Sequence, residues 1–250
     1  EKNYFISLPH WPKDQVLSMA VNAKKMLWIV TPDTLFLMDQ KTYRIIKKIP
    51  SEDHYKTKNV IDRTDFLSIL IDSKNNIWLG TNNGLCRFDE NTEILETYFH
   101  DPEDNQSFGG GNVVTMFEDH LGRLWIGNNK GLDLIENTGE RTRPLKFTHF
   151  INNDRNPSSI SSGTVLSLIE DKNQILWVGV QNGGINMLDI KSKEINGKFI
   201  HCNASNSKLD NIRFKSIYSS IKDKQQNIWI GTYDNGVSLC SPIANSFILV

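Results

Sequence analysis

Apolar residues in this chain come in short runs, not at helical spacing. Five seven-residue stretches set the rhythm: VLSMAVN (16–22), FLSILID (66–72), VVTMFED (113–119), VLSLIED (165–171) and IYSSIKD (217–223). Each is brief, rich in β-branched residues and bounded by polar text, which predicts a strand buried on both faces. A polar turn follows (SKNN at 73–76, HLGR at 120–123, KNQI at 172–175), then a second apolar run carrying a Trp. Next comes a Gly/Asn turn, GTNNG (80–84) or GNNKG (127–131), which is a strong hairpin signal. A third run reads LCRFD (85–89), LDLIE (132–136) or INMLD (185–189), and a weaker fourth reads ILETYFH (94–100), LKFTHF (145–150) or KFIHC (198–202). No stretch shows a convincing helical period.

The pattern is a registered repeat. Trp28, Trp78, Trp125, Trp177 and Trp229 are 50, 47, 52 and 52 residues apart. Six positions before each Trp stands Asn22, Asp72, Asp119, Asp171 or Asp223, and the third residue of each leading stretch is Ser18, Ser68, Thr115, Ser167 or Ser219. Gly80, Gly127, Gly179 and Gly231 follow the Trp by two, and Gly84, Gly131, Gly184 and Gly236 come later still. The first copy is worn, with Val30 and Thr34 at the two Gly positions. Four antiparallel strands recurring at roughly 40–50 residues predict an all-β chain, a β-propeller of four-stranded blades. The repeats fall at about 16–59, 60–112, 113–163, 164–212 and 213–250. One indole per blade fills the space between stacked sheets, burying on the order of 150–250 Å², and the glycines are expected to permit positive φ in the hairpin turn.

The pattern D-x-x-x-x-(I/L)-W-(I/L/V)-G-x-x-x-x-G-(L/I/V) resembles the propeller repeat of two-component regulators, found in the periplasmic sensor regions of hybrid histidine kinases. The linkers HDPEDNQSFGGGNVVTMFEDHLGRLWIG (100–127) and NDRNPSSISSGTVLSLIEDKNQILWVG (153–179) strengthen the likeness, which is good over 60–240 and weak over 16–49. The resemblance implies a slice of a longer periplasmic sensor in which tandem propellers precede a β-sandwich, a membrane helix and kinase modules. It also implies a seven-bladed ring of which these repeats would be part. Five repeats alone leave a closed five-bladed ring open as well, with NYFISL (3–8) supplying the outer strand of the last blade.

Composition narrows the function. Lys and Arg number 28 against 29 Asp and Glu, and no long basic run occurs, so nucleic acid is not an expected partner. No apolar run reaches the roughly 18 residues of a membrane helix, so no direct membrane insertion is expected. The N-terminal EKNYFISLPHW lacks the features of a signal peptide and reads as a mature or excised start. Cys86, Cys202 and Cys240 are widely spaced and read as small buried hydrophobes. The acidic loops DENTE (89–93) and DPEDNQ (101–106) lack a calcium-loop register, and the six His show no zinc spacing. No metal and no cofactor are therefore expected.

Strand parity places the turn after each Trp strand on the same face as the inter-blade linkers. That face is rich in Asn, Asp, Ser and Gly, groups that suit sugar hydroxyls. The candidate ligand-binding residues are Asn82, Asn83, Asn129, Lys130, Gln181, Asn182, Tyr233 and Asp234. The competing reading, plain turn chemistry, is strongest for the Asn residues beside Gly. Trp78, Trp125, Trp177 and Trp229 are structural, and so are Asp72, Asp119, Asp171 and Asp223, because chemistry needs one constellation while these recur in every blade. His100, Phe150 and His201 are expected at comparable places late in strand four, and Arg141, Arg143 and Lys146 as solvated edge charges. Three functions remain in view: a non-catalytic module sensing an oligosaccharide, a propeller lyase, and a protein-interaction scaffold. Homodimer contacts in the intact sensor are an expected possibility.

Overall fold

The computed structural model describes residues 14–51, 64–138, 144–202, 216–233, 236–241 and 246–249. Five four-stranded antiparallel sheets form, each with its strands in chain order, and no helix forms among the described residues. Blade one comprises β1 (Ser18–Val21), β2 (Met26–Val30), β3 (Thr34–Asp39) and β4 (Ile45–Pro50). Blade two has β5 (Phe66–Ile71), β6 (Ile77–Thr81), β7 (Gly84–Asp89) and β8 (Ile94–Tyr98). Blade three has β9 (Val113–Glu118), β10 (Leu124–Asn128), β11 (Gly131–Ile135) and β12 (Phe147–Phe150). Blade four has β13 (Val165–Glu170), β14 (Ile175–Val180), β15 (Gly184–Asp189) and β16 (Phe199–Cys202). Blade five has β17 (Ile217–Lys222), β18 (Ile228–Thr232), β19 (Val237–Ser241) and β20 (Ser246–Leu249).

Inner strands pack in series, β1 on β5, β5 on β9, β9 on β13 and β13 on β17, which makes this a propeller segment. β17 and β1 make no comparable contact among the described residues. The outer place of blade five is filled by its own β20, paired with β19, so that blade has no need of a borrowed strand from 3–8, which lies outside the described residues. The strands buried on both faces are the middle ones, β6, β10 and β11, not the inner ones. The inner strands β9 and β17 are partly exposed, β9 although it packs on both β5 and β13, and β17 with β13 as its inner-strand neighbour.

Four of the five blades are tied at the base by one carboxylate. In blades two to five the Asp before the Trp strand accepts two backbone N–H groups of its turn through Oδ1: Asp72 from Lys74 and Asn76, Asp119 from Leu121 and Arg123, Asp171 from Asn173 and Ile175, Asp223 from Gln225 and Asn227. The Oδ2 then accepts the indole N–H at 3.0, 2.8, 3.1 and 2.9 Å. In blade one, Asn22 Oδ1 caps the turn in the same way, but its Nδ2 is a donor and faces none. Both Asn22 Nδ2 and Trp28 Nε1 are buried without a hydrogen-bond partner.

The two glycines of the repeat have different jobs. Gly84, Gly131, Gly184 and Gly236 have φ of 144, 148, 68 and 67°, as the hairpin turn requires. Gly80, Gly127, Gly179 and Gly231 have no positive φ, which corrects the expectation that both sets serve turn geometry. Their role is close approach. Each pairs with the Ser or Thr of its inner strand, and a Cβ on Gly127 would lie 2.5 Å from Thr115 Cγ2 and 2.6 Å from Val165 Cγ1 of the next blade. Ser68 Oγ also donates across the blade boundary to the Val113 carbonyl. At the base, the Glu118 carboxylate accepts from the Ser73 N–H and hydroxyl of blade two, Glu170 accepts from the His120 N–H of blade three, and Arg123 donates to the carbonyls of Ile190 and Ser192 in blade four.

Replacing Asn22 by Asp should supply the missing acceptor for Trp28 and raise unfolding stability by about 1 kcal/mol, whereas Asp119→Asn should lower it by about 1–3 kcal/mol; equilibrium denaturation measures both. Gly127→Ala should cost about 1–3 kcal/mol through overpacking, read as a lower denaturation midpoint with unchanged slope.

Candidate functional site

The face carrying the linkers and the turns between second and third strands is assembled by hydrogen bonds between each blade's turn and the linker that leads into the same blade, and Asn182 reaches the linker of the next blade. The Asn82 N–H donates to the Asp65 carbonyl, Gln181 N–H to Thr164, and Tyr233 N–H to Ser216. Asn82 Oδ1 and Asn129 Oδ1 accept the N–H of Asp65 and Asn112 in turn. The Asn82 and Asn129 side-chain carbonyls therefore hold the linkers in place. Asn83 is exposed, with its side chain unengaged among the described residues. Asn182, at φ 58°, accepts the Ser216 hydroxyl, and its own N–H donates back to that oxygen. Lys130 is exposed, Gln181 is half-buried, and Asp234 lies outside the described residues.

The linkers themselves repeat. In 101–107 and 153–159 two turns follow one another, Asp104 N–H to Asp101 O then Ser107 N–H to Asp104 O, and Asn156 N–H to Asn153 O then Ser159 N–H to Asn156 O. The Asp or Asn at each turn start caps it, and Ser107 or Ser159 closes the loop on the first residue. Strand four pins the loop down through a histidine. His149 donates from Nδ1 to Asp133 at 2.5 Å and from Nε2 to the Asn105 carbonyl at 3.2 Å; His201 bonds Ser161 Oγ and the Ser159 carbonyl. His149 and His201 are thus the equivalent pair, opposite Asp133 and Asn186, while Phe150 falls one place further on with Tyr98 and Cys202. The expected equivalence of His100, Phe150 and His201 does not hold: Phe150 lies one place beyond the level of His201 and His100 three, because strand pairing, not distance from the strand end, sets it.

Three places on this face are concave or aromatic. A cavity of about 320 Å³ in blade three is lined by His100, Lys130, Asp133 and His149 among others. A polar depression of about 480 Å³ in blade four is lined by Asn152, Ser161, Asn182 and His201 among others. A wider one of about 700 Å³ lies between the 149–156 linker and Gly197 and Phe199. In blade five Tyr233 stacks on Tyr218, centroids 5.6 Å apart with 28° between the planes, and the two are 78% and 49% exposed. Asn182 and Tyr233 meet on Ser216, so the blade-four depression and the tyrosine pair are neighbours. The sequence-derived residues are therefore not one constellation: Asn82 and Asn129 fasten linkers, Lys130 serves the blade-three cavity, and Asn182 and Tyr233 go together.

Tyr218, Asp133 and His149 were not among the residues the sequence singled out, and His100 was read there as a residue late in strand four. Tyr218 sits at a bulge in β17 that recurs after Phe66, Val113 and Val165, and a bulge re-aims a side chain. Among the described residues no group of three or more His, Cys, Asp or Glu is placed to hold a metal. Burial pushes the Cys86 thiol up to about 12 and the Cys240 thiol up to about 11, the behaviour of inert core thiols.

Residues 61–83, 107–130 and 211–234 match the two component regulator propeller family. These stretches are similar to two-component regulator propeller repeats and hold Trp78, Trp125 and Trp229. Over 89 residues the chain is 33% identical to Histidine kinase P4 of Formosa agariphila, a stretch covering 35% of this chain and 6% of that protein. The fold is similar to a structure named as the extracellular domain of a hybrid two component system of B. thetaiotaomicron, with TM-score 0.69, 23% identity, and coverage of 95% of this chain and 30% of that one. It is also similar to PorZ, a surface component of the type-IX secretion system of Porphyromonas gingivalis, with TM-score 0.66, 16% identity, and coverage of 94% and 33%. The repeat-bearing chain thus spans a small fraction of these relatives' length. No helix among its described residues is long and apolar enough to cross a membrane.

The Asp133–His149 pair gives a pH signature. The hydrogen bond that His149 donates to Asp133, and then the charge of Asp133, raise the His149 pKa above the ordinary imidazole value against the effect of burial. Burial pushes Asp133 up, but His149, the Gly109 N–H and Asn128 all donate to it, so carboxylate with imidazolium is the state that satisfies every partner. A proton held more tightly in the folded state stabilises fully below the unfolded pKa and less as pH rises through the folded one. The stability gap between the unaltered protein and His149→Gln should therefore be largest near pH 6 and shrink toward about pH 8 and above, as thermal melts across pH would show.

Proposed function

We propose that this propeller is the non-catalytic ligand-binding part of a hybrid two-component sensor on the periplasmic side of the membrane. Its linker face takes up an oligosaccharide, and a membrane helix and histidine kinase elsewhere in the protein carry the signal. The observation that supports this best is the exposed stacked pair Tyr218 and Tyr233 beside the Asn182-lined polar depression. An exposed aromatic face next to paired amide and hydroxyl groups is what a pyranose ring needs, stacking on one side and hydrogen bonds at the edge. The repeat match, and the kinase named for the relative from F. agariphila, support the signalling role. The apolar faces left open on the outermost blades, with Met19 and Val21 on β1 and Ile221 on β17 exposed, fit further blades stacking there in a larger ring.

A lyase-type reading would need a histidine free to transfer a proton. The acid–base pair on this face, buried Asp133 with half-buried His149, has both imidazole nitrogens engaged within the fold, which suits an anchor and not a catalyst.

A thermal-shift screen against oligosaccharides of plant, host and microbial glycans tests the reading. A ligand at about 100 times its Kd should stabilise the fold by about 2.7 kcal/mol. Tyr233→Ala combined with Gln181→Ala should weaken binding of that ligand at least about tenfold by removing the stacking surface. Unchanged affinity in the double variant would move the site off this face of blades four and five, and no shift with any glycan would leave the scaffold reading.

A further inference from the structure

Because the repeats share so many fixed offsets, a place where one copy departs from the others and the departure opens a cavity is where specific recognition can reside. Blade three departs most. The position held by Cys86, Asn186 and Ser238 in its neighbours is Asp133, which is 2% exposed. The linker above it reads FGGG (108–111), where the next linker reads ISSG (160–163).

Each substitution has a physical consequence. A Cβ on Gly109 would lie 2.6 Å from Asp133 Oδ1 and 3.0 Å from His149 Nδ1, so only glycine lets the linker lie on this pair. Gly110, at φ 93°, has Lys130 Nζ 3.0 Å from where its Cβ would stand, and the His100 Cβ 3.2 Å away. The Lys130 ammonium thus folds over the linker toward His100 and lines the cavity of about 320 Å³, whose wall includes Leu132 and Ile151. That volume is in the range of small-ligand sites.

The charges around the cavity are unequally engaged. Asp133 is neutralised by His149 and holds the Asn128 amide as well. Asp101 and Asp104 cap their own turns at Glu103 and Gln106. His100 is bonded through Nδ1 to the Phe108 carbonyl. Lys130 engages its side chain with none of the described residues, and its backbone N–H is tied to Asn128, which fixes where the side chain starts. Lys130 is thus the cation of this lining that no carboxylate pairs with, at the edge of a cavity with an apolar wall, while Asp101 and Asp104 keep their negative charge as they cap.

We propose that the blade-three cavity is a subsite for an acidic sugar unit, whose carboxylate or sulfate ester pairs with the Lys130 ammonium while its ring lies against Leu132 and Ile151. This rests on the oligosaccharide-sensor reading and adds the class of ligand. The neighbouring blades have no such cation: Asn83 and Gly183 precede the corresponding glycines, Gly84 and Gly184.

Titration calorimetry of the protein with trigalacturonate, a sulfated galactotriose and neutral galactotriose, each at about 20 and 150 mM salt, tests it. The acidic probe that binds should weaken with salt. Lys130→Ala should lower its affinity by about tenfold or more, and Lys130→Arg should restore it to within about threefold. Lys130 is exposed, so an unchanged melting temperature certifies the fold of both variants. Which acidic probe responds assigns carboxylate or sulfate. If the neutral sugar binds as well as the acidic ones, or acidic binding survives Lys130→Ala intact, the acidic-sugar assignment is overturned while the sensor reading stands. If no probe binds here and no glycan shifts the fold in the wider screen, both fall together.

Discussion

In blades two to five one carboxylate holds the base of the blade together. Its Oδ1 closes the turn between the first and second strands by accepting two N–H groups, and its Oδ2 fixes the indole of the Trp six residues on. The indole of Trp78 or Trp125 is wholly buried, so its N–H must have an acceptor, and water cannot supply one. With the Trp rotamer set, the space between sheets is set too. Asp119 extends the same logic across the boundary: it holds Arg123, whose guanidinium reaches the 190–192 carbonyls of blade four and lies over the face of Trp125. An amide cannot substitute, since Asn22 caps its turn and leaves two donors facing nothing in blade one.

Stacking imposes the second constraint. Inner strands approach so closely that the residue opposite the recurrent Ser or Thr must lack a Cβ, and the Val or Ile opening the next blade fills the space. Blade one has Val30 there, opposite Ser18, and lacks the bulge that blades two to five share. Its worn sequence and its altered register are one fact seen at two levels. The bulge also determines what the linker face presents: in blade five it exposes Tyr218, which stacks with Tyr233.

Much of the frame was legible because the repeat supplies its own alignment. Offsets shared by five copies identify strands, turns and the structural Asp–Trp pairing without coordinates. The face was legible as well, since strand parity is fixed by antiparallel pairing. The site was legible only in part. Asn82, Asn129 and Lys130 read alike in the sequence as polar turn residues, yet two fasten a linker and one stands free over a cavity. His149 carried no signal of its own in the sequence and is a latch, because its partner Asp133 comes from the adjacent strand and Asn105 from a linker 44 positions away. Nothing local marks such a meeting.

The sequence by itself determined the blade: a short-range pattern of apolar runs, turn residues and one Asp–Trp pair, all within about 50 residues of chain, because hydrogen-bond satisfaction and strand alternation are local rules. Tertiary structure decided what the blades do to one another. It assigned the first glycine to close packing and not to turn geometry, left β1 and β17 with open apolar faces, and brought Lys130, His100 and the 108–111 linker around one cavity. Those outcomes depend on which atoms of neighbouring repeats arrive within a few ångströms, and that distance is set only when the sheets stack.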